Sequence, residues 1–148
     1  SHIQIKTYSS DSVIARGELF SLAVEITPQA NMHVYAPGAE GYRVITLQIE
    51  PQRFVRLLPL QHPASEIYYF ESLDERVPVY QKPFTLLQEV VTETLREERE
   101  EFEEMGTLTF TGSLEYQACD EKLCYNPVSV PLSWTVGIKP FVARQRRP

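Results

Sequence analysis

The chain is poor in the residues on which most enzyme chemistry is built. It has two cysteines, three histidines, one tryptophan and six glycines among 148 residues. His2, His33 and His62 lie far apart without metal-ligand spacing, and the cysteines have neither a second Cys-x-x-Cys nor paired histidines beside them, so no zinc site is expected. No glycine-rich phosphate loop, nucleophile elbow or zinc-protease helix occurs. No apolar run approaches the roughly 20 residues of a membrane span. The first residues lack the charged-then-apolar pattern of a signal peptide, as expected of a mature region or an excised domain. Nucleic acid is not an expected partner, since binding it requires a basic face with phosphate contacts, and the only basic cluster is the short run near the C-terminus.

What remains is the composition of a globular protein, with 43 % hydrophobic and 11 % aromatic residues. A length of 148 residues suits one domain over 1–148 with a two-layer core, taken here as about 18–138. The charge is uneven. Glu93, Glu97, Glu98, Glu100, Glu101, Glu103 and Glu104 against Arg96 and Arg99 give a local −5, an acidic insertion over 93–105 that leaves the remainder near neutral. A C-terminal tail, 140–148, carries Arg144, Arg146 and Arg147, read either as a frayed end or as a linker towards an anionic membrane surface.

Hydrophobic period two dominates. Ile3 and Ile5 open a first strand, and Ser9 to Gly17 reads as a polar turn region. Phe20, Leu22, Val24 and Ile26 alternate with Ser21, Ala23, Glu25 and Thr27 until Pro28, the pattern of a half-buried strand. Short strands follow over Met32 to Tyr35, Ile45 to Ile49 and Phe54 to Leu60, and another runs from Phe84 to Val90. Residues 61–76 lack sustained periodicity and read as a polar loop that carries Ile67-Tyr68-Tyr69-Phe70; such a cluster needs something to pack on, and a loop folded over the sandwich edge would supply it. Thr94-Leu95-Arg96-Glu97 has capping-box form, and Leu95, Arg99 and Phe102 share a helical face before Gly106. A short surface helix is expected over about 95–105 of an otherwise all-β domain.

Both cysteines lie in one stretch, Tyr116 to Pro127. Before it Leu108, Phe110, Leu114 and Tyr116 alternate with polar residues, and after it Val128, Val130, Leu132, Trp134 and Val136 do the same. Cys119 and Cys124 therefore sit in a hairpin-like connection between two strands, where a disulfide is sterically reasonable. As a clip, a six-residue loop contributes only about 2 kcal/mol in the chain-entropy model. Asp120, Glu121 and Lys122 should keep the loop tip wet, and an accessible bridge in a tight loop is prone to exchange. Reversible redox work, a static clip in an interaction module, and a dithiol site for copper all stay open on these residues. No helix N-terminus is at hand to lower a thiol pKa, and only Lys122 opposes the two acids, so the pair should be a slow nucleophile until a partner docks.

The run Tyr116-Gln117-Ala118-Cys119, then Cys124-Tyr125-Asn126-Pro127 and Val130-Pro131-Leu132-Ser133-Trp134, resembles the N-terminal periplasmic domain of the thiol:disulfide interchange protein DsbD family. Asn31-Met32-His33-Val34-Tyr35-Ala36-Pro37-Gly38 with Gly41-Tyr42 is similar to a second segment of that family, in the same order. The resemblance implies an immunoglobulin-like β-sandwich without a cofactor, which passes two electrons through a reversible Cys119–Cys124 disulfide. It implies thioredoxin-fold partners of the disulfide isomerase or cytochrome c maturation type, a membrane-bound or thioredoxin-like electron donor, and a periplasmic or otherwise extracytoplasmic setting within a larger membrane-anchored protein. The isolated domain is expected to be a monomer. By position Cys124 would form the mixed disulfide and Cys119 resolve it. The aromatic cluster Tyr68, Tyr69 and Phe70 would cap the bridge, with Phe70 or Tyr69 nearest the sulfurs. Tyr35 and Tyr125 would pack around the bridge, and His33, beside the cysteine strands, would be either a satisfied strand histidine or a proton shuttle.

Overall fold

The computed structural model describes residues 2–140. In order the elements are β1 (Ile3–Ser9), β2 (Val13–Ile14), β3 (Leu19–Pro28), β4 (His33–Tyr35), β5 (Thr46–Ile49), β6 (Val55–Leu57), β7 (Glu66–Phe70), β8 (Glu75–Tyr80), β9 (Phe84–Thr92), α1 (Arg99–Glu104), β10 (Thr107–Tyr116), β11 (Ala118–Cys119) and β12 (Val128–Ile138). The expected arginine-bearing tail lies outside the described residues, save its first position.

Three four-stranded sheets result, ordered β1-β3-β9-β6, β2-β12-β10-β5 and β11-β4-β8-β7. The first two face one another as an immunoglobulin-like β-sandwich. Its core is the inward half of each alternating strand: Phe20, Leu22, Val24 and Ile26 from β3, Leu86 and Val90 from β9, Leu108, Phe110 and Leu114 from β10, and Trp134 and Val136 from β12. Trp134 Nε1 donates to the Ala23 carbonyl across the layers at 3.1 Å, which satisfies the indole N–H inside the core. Gly112 lies where β10 meets β5, and a Cβ there would collide with the Gln48 carbonyl of the facing strand.

Three sequence expectations change. The polar turn over 9–17 contains β2, two residues that pair in parallel with the end of β12 (Gly137↔Val13, Ile138↔Ile14), a contact too short to leave a periodic signal. Ile67 to Phe70 lie not in a loop but in β7, in register with β8 (Ile67↔Pro78, Phe70↔Glu75). The insertion folds as a 3-10 turn, Arg96–Glu98, running into α1, and its cap is one residue later than the motif indicated. Glu98, not Glu97, accepts the Leu95 N–H, at 2.8 Å. Of the expected apolar face, Leu95 is exposed whereas Phe102 is fully buried against Phe54.

Candidate functional site

The cysteine segment is shaped by its backbone. Between β10 and β12 the chain folds back on itself: Tyr125 N–H donates to the Ala118 carbonyl at 2.9 Å, and Asp120 N–H to the Leu123 carbonyl at 2.8 Å. These bonds bracket Cys119 and Cys124, which are therefore directly opposed in the non-hydrogen-bonded, closer kind of antiparallel pair. Their Cα atoms are 4.1 Å apart and the sulfurs are bonded. The Asp120 carboxylate ties the turn, accepting from the N–H groups of Lys122 and Leu123 at 2.7 Å each, and those bonds hold its pKa below the usual carboxylate value. The negative charge expected to oppose a thiolate is thus engaged by backbone dipoles.

β11 carries this small hairpin onto the third sheet, with Ala118 opposite Val34 and Cys119 opposite His33. The two sulfurs consequently differ in surroundings. Cys119 is 1 % exposed, packed with Tyr35, Val77 and Val79, whereas Cys124 is exposed. Cys124 lies in a groove of about 180 Å³ whose other walls are His33 and Tyr35 from β4, Tyr68 and Phe70 from β7, and the loop residues 120–123.

Within the groove the buried Tyr35 hydroxyl lies 3.7 Å from Cys124 Sγ and 3.1 Å from His33 Nε2. Tyr42 stacks on the Tyr35 ring at 4.1 Å, and Tyr68 covers the His33 ring at 4.4 Å. Burial lowers the His33 pKa, partly offset by Asp120, so the ring is held neutral. Burial, with Tyr42, Glu75 and Tyr68 around it, drives the Tyr35 pKa well up, and the phenol stays protonated.

The residues singled out from sequence separate into two groups. Cys119, Cys124, His33, Tyr35, Tyr68 and Phe70 come together. Tyr69 does not: on a strand its neighbours' side chains face the groove and its own faces away, where it bonds Asp74 at 2.9 Å and lies under Arg76. Tyr125 stacks on His2, centroids 4.0 Å apart, instead of lining the groove. Tyr42, Leu73, Glu75, Val77 and Leu123 also line it and were not singled out. Only Tyr42 had a signal, as part of the Gly41-Tyr42 motif; the others arrive through pairing of β7 with β8 and through the turn.

Comparison with known proteins decides the family. The family described as thiol:disulfide interchange protein DsbD, N-terminal, matches residues 6–131. The chain belongs to this DsbD N-terminal family. Its fold is shared with a crystal structure of the N-terminal periplasmic domain of ScsB from Proteus mirabilis, at TM-score 0.61 and 11 % identity. That likeness covers 92 % of this chain and 46 % of the ScsB chain, so the domain spans about half the length of its structural relative. No curated protein matches the sequence. As a DsbD-type domain with a formed Cys119–Cys124 bridge, the chain is a thiol:disulfide interchange domain.

Proposed function

We propose that this domain is an extracytoplasmic electron carrier whose Cys119–Cys124 pair passes two electrons to thioredoxin-fold proteins. The carrying observation is the unequal access to the two sulfurs: Cys124 opens into the groove while Cys119 is covered. A membrane-bound or thioredoxin-like donor reduces the bridge, giving two thiols. The Cys124 thiolate then attacks the partner's disulfide; a Cys124–partner S–S bond forms and the partner's other sulfur leaves as thiolate. Cys119 then attacks Cys124, restoring the internal bridge and releasing the partner as a dithiol. Buried Cys119 suits the resolving role because its target is already beside it. Phe70 and Tyr68 act as the cap that limits access by other thiols.

The alternative is a static clip in an interaction module, and reduction potential separates the two. A carrier titrates against glutathione or dithiothreitol at a potential above about −300 mV, whereas a structural bridge lies below it. For the roles of the sulfurs, the Cys119→Ser protein should trap a thioredoxin-fold partner as a mixed disulfide. Capture by Cys124→Ser alone would reverse the assignment.

A further inference from the structure

The groove contains a hydrogen-bond chain that the exchange reaction by itself does not require. His33 Nε2, Tyr35 Oη and Cys124 Sγ follow one another at 3.1 and 3.7 Å. Both rings are buried, His33 at 3 % and Tyr35 at 4 % exposure, and each is clamped by a second aromatic ring, Tyr68 or Tyr42. Their strand explains the arrangement: His33 and Tyr35 are two apart on β4 and project to the same side, and β4 is the strand that pairs with the cysteine hairpin. We propose that Tyr35 is a hydrogen-bond donor to the Cys124 thiolate and that His33 is the residue that positions it, donating its Nε2 proton to the Tyr35 oxygen. This rests on the reading of Cys124 as the attacking sulfur.

The chemistry is directional. In the oxidised protein Cys124 is a weak acceptor, and the Tyr35 proton has the Tyr42 oxygen as a second acceptor. When a dithiol donor reduces the bridge, the S–S bond breaks, two electrons and two protons arrive, and the donor becomes a disulfide. Loss of the Cys124 proton to water then makes the sulfur the strongest acceptor in reach, and the phenol turns to it. A neutral histidine with Nε2–H can support this arrangement and cannot compete for the phenol's proton at that nitrogen. The other titratable groups facing the site are Asp120, Glu121 and Lys122 on the turn, Glu75 on β8, and the phenols of Tyr42 and Tyr68. Glu75 and Glu121 oppose a thiolate, Asp120 less so because the turn N–H groups engage its charge, and a neutral donor at the sulfur is the device by which this groove keeps Cys124 reactive.

The test is made in the Cys119→Ser protein, where Cys124 is the lone thiol. Its pKa is read from the pH dependence of iodoacetamide alkylation and from ultraviolet thiolate absorbance, neither of which needs a partner protein. Tyr35→Phe should raise that pKa by about one unit, a roughly tenfold loss of thiolate at neutral pH. His33→Phe, which keeps a ring between Tyr68 and Tyr35, should shift it the same way by less, and His33→Gln, which retains an N–H donor, should recover part of the loss. Because the groups act in series, Tyr35→Phe with His33→Phe should be no worse than Tyr35→Phe alone. An unchanged or lowered pKa in Tyr35→Phe, or additive effects in the double variant, overturns the proposal. Should Tyr35→Phe fail to fold, equal pKa values in His33→Phe and His33→Gln would overturn it equally. Failure of the redox titration, by contrast, would sink the carrier reading and leave these pKa values measurable.

Discussion

Truncation of Phe102 tests what holds the acidic insertion to the sandwich. Two kinds of contact compete. The ionic set comprises Arg53 with Glu98 at 2.9 Å and with Glu101, Arg56 with Glu93 at 2.7 Å, and Arg16 with Glu103 at 4.0 Å. The apolar set is Phe102, fully buried and edge-on to Phe54 at 5.5 Å. Arg53 and Arg56 are each 60 % exposed, so water and salt screen their pairs, and a long side chain must also be ordered to form each of them. Burial of a phenylalanine has no such offset: Phe→Ala in a core costs about 3–5 kcal/mol, the transfer term plus the cavity left behind. For a domain with a total stability of about 5–15 kcal/mol this is a large fraction. With a urea slope of about 2 kcal/mol/M, Phe102→Ala should lower the unfolding midpoint by about 1.5–2.5 M. Arg53→Ala should leave the midpoint almost unchanged. The assay is urea unfolding of the oxidised protein followed by tryptophan fluorescence, with Trp134 as the reporter. Comparable shifts for the two variants, or a Phe102→Ala shift under about 0.5 M, would refute the ranking of packing over charge.

Other expectations follow from the same contacts. Phe70→Ala should speed alkylation of the reduced cysteines by a small uncharged reagent several-fold, and an unchanged rate would count against the cap. His33 is held neutral when folded, whereas the unfolded chain takes up its proton near the ordinary value of 6.5. Stability attributable to His33 is therefore complete above that pH and declines as pH falls through it towards the lowered folded value, so the urea midpoint should fall between about pH 7 and about pH 5, less steeply in His33→Phe. Gly112→Ala should separate β5 from β10, because the Gln48 carbonyl occupies the space that a methyl group needs; faster amide exchange over residues 46–49 would report it.

Legibility in the sequence followed locality. Long alternating runs such as Phe20 to Ile26 and Leu108 to Tyr116 are legible as strands because burial on one face imposes period two on the residues themselves. Val13–Ile14 is not, since two residues cannot display a period and their partner lies at the other end of the chain. β7 was hidden for another reason. Its alternation is masked by aromatics on both faces: Tyr68 and Phe70 line the groove, while Ile67 and Tyr69 are exposed. The capping box lies one residue later because Glu97 and Glu98 offer chemically equivalent carboxylate acceptors, and only the backbone's path selects between them.

The site divides in the same way. Sequence alone determined that both thiols fall in the connection between two strands, that charged residues form its tip, and that His33 and Tyr35 share one side of a short strand, because all of these are relations between neighbours along the chain. Only the tertiary structure decided that β11 pairs with β4, that Cys119 is covered while Cys124 opens into a groove, and that Tyr68 and Phe70 wall it while Tyr69 and Tyr125 face elsewhere. The physical reason is that access to an atom is fixed by whatever packs against it, and here the packing comes from strands some 40 to 90 residues away in the chain.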